Sequence, residues 1–105
     1  MITTPWHWQF PPIAEQPKIY QQLAHVRAEA REAEKAEFYN EGNERIAEEL
    51  MDVIHAAETA LRLLPFDELE LDRIKRDVVE KNDRRGYYEG SENVTKPDIG
   101  GRGAE

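Results

Sequence analysis

Two stretches of the chain, 18–40 and 44–64, contain neither proline nor glycine, and only Asn40-Glu-Gly42-Asn43 marks the break between them. In the first, Ile19, Leu23, Val26, Ala30 and Ala33 recur at helical spacing among many alanines, which predicts one long helix. In the second, Ile46, Leu50, Val53, Ile54, Ala57, Leu61 and Leu64 form one stripe that stops at Pro65. Gly42 suits a positive φ in the turn, and Asn43 is placed to cap the second helix. Two long helices joined by so short a connection must lie antiparallel.

The remainder is shorter and less regular. Asp67 and Glu70 have the spacing of a capping box, predicting a third helix from there to about Arg85, ended by Gly86. Residues 1–17 hold four of the six prolines and both tryptophans, and read as an irregular arm. Its Trp6, His7 and Trp8 suit covering a partner surface better than stacking on a base. Residues 89–105 offer almost nothing to bury and read as a disordered tail, leaving 18–88 as the packed domain. The predicted fold is all-α, a long antiparallel hairpin plus a third helix. With only 39% of its 105 residues apolar and 34% charged, a single copy has a thin core, so assembly into a homodimer or homotetramer is expected.

Charge narrows the function classes. The chain carries 22 acidic and 14 basic residues, a formal charge of −8, which opposes binding to duplex nucleic acid. It contains no cysteine, so disulfides and thiolate metal sites are excluded and oxygen-held cations stay open. No apolar run has the length of a membrane span and no secretory pattern opens the chain, so a cytoplasmic location without membrane association is the expectation.

Among the acids, Glu29 with Glu32 on the first helix and Glu49 with Asp52 on the second occupy matched positions. At roughly 100° per residue, each pair falls about 80° and about 140° to the same side of its helix's apolar stripe. Glu34/Glu37 and Glu41/Glu44 share the separation, so spacing alone does not single the first two pairs out. On closing the hairpin, matched offsets bring Glu29, Glu32, Glu49 and Asp52 toward one space. Mg²⁺, or Mn²⁺ in its place, is the natural occupant, since hard cations take carboxylate and phosphate oxygens. The rival reading makes these four the solvated flank of an amphipathic hairpin. On the third helix the stripe Leu71, Ile74, Val78 continues into Lys81, Asn82 and Arg85, cations that suit either the helix dipole or a phosphate.

Glu29-Ala-Arg-Glu32, sixteen intervening residues, Glu49-Leu-Met-Asp52, and then Lys81-Asn82-Asp-Arg-Arg85-Gly86-Tyr87 together resemble the MazG-like branch of the all-α nucleoside triphosphate pyrophosphohydrolases. The resemblance covers about residues 19–88. It implies a Mg²⁺-dependent hydrolase that cuts nucleotides between the α and β phosphates and releases a nucleoside monophosphate and pyrophosphate. Glu29, Glu32, Glu49 and Asp52 would be metal ligands and catalytic groups, with Lys81, Asn82 and Arg85 contacting substrate. Paired hairpins forming a four-helix bundle are implied as well. The chain departs from the pattern at Ala28, where many members carry a further glutamate; Glu48 is a substitute of less favourable direction. The alternatives are a non-catalytic acidic interaction module and a family member that binds nucleotide without cutting it.

Overall fold

A computed structural model describes residues 3–90. The predicted tail lies almost wholly outside the described residues. Three helices are present and no strand among the described residues: α1 Ile19–Phe38, α2 Asn43–Arg62 and α3 Glu68–Arg84. None is long and apolar enough to cross a membrane. The chain divides into two compact units, one of residues 7–66 and one whose described parts are residues 3–6 and 67–90.

In the first unit, α1 and α2 pack against each other as the predicted hairpin. Residues 39–42 make the turn with Gly42 at positive φ as predicted, but Asn40 joins it there and the predicted Asn43 cap does not form. The Glu41 N–H donates to Ala36 O at 2.9 Å and the Asn40 N–H to Glu37 O at 3.1 Å, the bond pair of a Schellman motif. Asn40 therefore takes the left-handed conformation, φ 55°, that the motif demands. Gly42, also at positive φ, is the N-cap of α2, and Asn43 is already its first helical residue, without a side-chain cap bond at this end. Asn tolerates the left-handed region better than most residues do, so a single turn uses both.

The helix–helix seam is lined by small side chains. Ala33 and Ala36 on α1 and Ala56 and Ala60 on α2 are buried, and no large side chain among the described residues is completely enclosed. Gln22 crosses the seam, its Nε2 donating to Ala56 O at 3.0 Å. The seam thus follows the heptad line Gln22, Glu29, Ala36 on α1 and Glu49, Ala56 on α2, to one side of the apolar stripes. Leu23, Leu50, Met51 and Ile54 remain 42–56% exposed. Between the stripes runs an apolar groove lined by Ile19, Leu23, Val26, Ala57, Leu61 and Leu64. The thin core expected from composition is a physical fact of the single chain; assembly is a separate matter.

In the second unit, α3 begins as its sequence indicates. Asp67 accepts from the Glu70 N–H at 2.8 Å while Glu70 accepts from the Asp67 N–H at 2.9 Å. It ends at Gly86, φ 75°, with the Tyr87 N–H donating back to Asn82 O at 3.0 Å. Residues 3–6 belong with this helix: the Trp6 N–H donates to Asp72 at 3.0 Å and Lys75 to Thr4 O at 2.8 Å. Replacing Asp67 by Ala removes one acceptor and its reciprocal partner, and should lower the unfolding free energy by about 1 kcal/mol in denaturant titration.

Candidate metal centre

The seam carries two carboxylates inward with the alanines. On α1, Glu29 stands seven residues from both Gln22 and Ala36, so all three share a face. On α2, Glu49 stands seven residues before Ala56 and is itself buried, 4% exposed. Asp52 is one turn further along α2, at the exposed rim. One carboxylate oxygen from each of Glu29, Glu49 and Asp52 lies within 4.8 Å of the other two. Two oxygens bound to one Mg²⁺ at about 2.1 Å are at most about 4.2 Å apart, so small side-chain rotations suffice to bring them onto an ion.

A buried carboxylate needs a compensating charge. Arg45, one turn before Glu49, provides it: its guanidinium pairs with Glu49 and also reaches Glu48 at 3.2 Å and Glu41 at 3.6 Å. The hydrogen bond to Glu48, followed by the charge of Glu49, holds the Arg45 pKa above its ordinary value, so it stays a cation. Glu29 is met by His25 Nε2 at 3.2 Å. All the donors in the cluster are hard carboxylate oxygens, and no histidine nitrogen joins them, a set that fits Mg²⁺ or Mn²⁺ rather than a softer metal.

The remaining sequence candidates stand elsewhere. Glu32 does not join the three; its half-exposed carboxylate faces solvent and pairs with Lys35 at 3.4 Å. It lies about 60° further round α1 than Glu29, away from the seam. Glu48 is turned to Arg45 at the surface and is not part of the cluster either. Lys81 and Asn82 occupy the last turn of α3 and Arg85 is its C-cap, in the other compact unit. The Asn82 carbonyl accepts the capping bonds there, and the Arg85 guanidinium lies 5.9 Å from the Tyr87 ring.

The part of the arm from His7 onward lies along α2 of its own chain. Buried Glu58 accepts the N–H groups of Gln9 at 2.8 Å and Phe10 at 2.9 Å. Arg62, one turn on, donates to Phe10 O at 2.9 Å and lies 4.0 Å from the Trp8 ring centre, while Phe10 stacks on His55 with ring centres 4.8 Å apart. Sequence reasoning passed over Glu58 and Arg62, although two opposite charges four residues apart inside an apolar run are a legible sign that something polar covers them. It also passed over Arg45 and Gln22.

Comparisons with protein-family models, with curated proteins and with solved structures found no match.

Arg45→Gln leaves the buried Glu49 without its cation. In EDTA this variant should melt at a lower temperature than the unaltered protein, and millimolar Mg²⁺ should recover most of the difference. A deficit that Mg²⁺ leaves untouched would show that no ion reaches Glu49.

Proposed function

We propose that this protein is a Mg²⁺-dependent nucleotide pyrophosphohydrolase of the MazG-like kind, cutting nucleoside triphosphates between the α and β phosphates. The observation that carries the reading is the meeting of Glu29, Glu49 and Asp52 across the α1–α2 seam. Three of the four acids singled out by their offset around the helices and by resemblance are the three that converge, out of 19 acids among the described residues.

The three carboxylates would hold the ion. Mg²⁺, when bound, supplies positive charge against the phosphate chain and lowers the pKa of water. Glu49, enclosed and tied to Arg45, keeps its position, so the geometry rests on a side chain with little freedom to move. Asp52, at the exposed rim, is open to substrate and suited to accept a proton from the attacking water. Glu32 is the proposed fourth carboxylate. Its exposed pairing with Lys35 is worth about 1 kcal/mol at most, too little to keep it from turning toward a bound substrate. Lys81 and Arg85 are proposed to meet phosphate oxygens and Asn82 to hydrogen-bond the sugar or base, on the strength of sequence position alone. The exposed apolar groove between α1 and α2 is proposed as the face on which a second copy completes a four-helix bundle.

A second reading keeps nucleotide binding and drops the chemistry. It is favoured by Ala28 and by the turning away of Glu32, which leave three carboxylates where the family pattern has more. Pyrophosphate release separates the two. With Mg²⁺, a panel of canonical and modified nucleoside triphosphates should yield pyrophosphate from at least one member; EDTA should abolish it, and Glu49→Gln should slow it at least a hundredfold. Mg²⁺-dependent binding with no release selects the second reading, and release unaffected in Glu49→Gln rejects the site.

A further inference from the structure

Beside the three carboxylates lies a cavity of about 110 Å³, and one of its walls is the arm. Glu29 and Asp52 form its metal-side edge; Ile13 from the arm, Gln22 and His25 from α1, and His55, Ala56 and Thr59 from α2 form the rest. We propose, building on the nucleotide reading above, that this cavity receives a single polar ring joined to the metal-bound phosphate, and that Ile13 sets how large that ring can be. The ring is either a pyrimidine base or a pentose, which share size and polarity.

Size comes first. About 30 Å³ of liquid belongs to one water, so the space corresponds to three or four waters, and a cavity of about 150 Å³ accommodates benzene. The space here is smaller than that, so it can enclose at most one ring and not two fused ones.

Chemistry comes second. The Gln22 amide nitrogen is committed to Ala56 O, which leaves the amide oxygen as an acceptor, and the Thr59 hydroxyl both donates and accepts. Ile13 and Ala56 contribute apolar surface against which a ring face can lie. His55 is part of the lining, and its buried Nε2 has no hydrogen-bond partner within the protein.

The wall is also fixed. The two N–H bonds to Glu58, the Arg62 bond to Phe10 O and the Phe10–His55 stack hold the arm three residues upstream of Ile13. Ile13 is not one of the three carboxylate residues, so replacing it leaves every proposed metal ligand in place.

Calorimetric titration of UMP, CMP, AMP, GMP and ribose 5-phosphate in Mg²⁺ tests this directly, on the unaltered chain, Ile13→Trp and Ile13→Phe. UMP and CMP binding more tightly than AMP, GMP and ribose 5-phosphate identifies the base as the ring; equal binding of all five identifies the pentose. In either case Ile13→Trp should weaken the tightest ligand at least tenfold, while the melting shift produced by Mg²⁺ alone stays as in the unaltered chain. Ile13→Phe, a smaller intrusion at a partly exposed position, decides the matter if the Trp variant does not fold, with at least a threefold loss expected. Binding that the folded variants leave within twofold overturns the role of Ile13 and leaves the nucleotide reading standing. If none of the five compounds binds the unaltered chain, the ring subsite falls, while pyrophosphate release from triphosphates decides the nucleotide reading separately.

Discussion

The hairpin depends on how closely α1 and α2 approach, and that approach is set by methyl groups. Ala33, Ala36, Ala56 and Ala60 let the two backbones come together where leucines would hold them apart. Little apolar area is buried by such a seam, so its stabilising contribution is modest. In exchange, residues on the same heptad line, Gln22, Glu29 and Glu49, are drawn between the helices. Burying Glu49 is then tolerable only with a positive charge in contact, and Arg45 fills that role from one helical turn away. Packing and electrostatics are therefore one problem in this unit: the same close approach that brings the acids within reach of a shared ion creates the need for a counter-charge.

The hairpin has two unlike sides as a result. Going round α2, the seam separates an apolar side, where Leu50, Ile54 and Leu61 stand, from a polar side carrying Asp52, His55, Glu58 and Arg62. The arm covers part of the polar side through charged anchors. The apolar side keeps side chains as large as Leu23 and Leu50 about half exposed. Such a division keeps the exposed apolar surface apart from the carboxylate cluster.

Much of this was legible in the sequence, and the reason lies in particular residues. The helices and their ends follow from the absence of Pro and Gly, from Pro65, and from the Asp67/Glu70 pair, all local signals. Three of the four acids were found because helix geometry is regular enough to compare offsets on two helices. The position of the seam was less legible. Periodicity finds the most apolar line of a helix, and here the line that packs within the chain is the alanine line beside it, so Glu29 and Glu49 lie further inward than the stripes imply, and Glu32 falls to the solvent side. The turn was legible at Gly42, which takes the positive φ expected of it, and not at Asn40, whose left-handed φ follows from the bonds that close α1. The seat of the arm depends on Glu58 and Arg62, whose partners are 48 or more residues away in sequence, beyond the range of any local pattern.

Glu58 grips the arm by main-chain N–H groups, and every amino acid except proline has one. The side chain at position 9 can therefore change without loosening these two bonds, whereas Phe10 adds its ring stack on His55, and the prolines at 11 and 12 fall just beyond the clamp. An attachment made at Trp8, Gln9 and Phe10 places no demand of its own on the residues downstream of it. The clamp on Glu58 and the lining at Ile13 can therefore be altered one without the other.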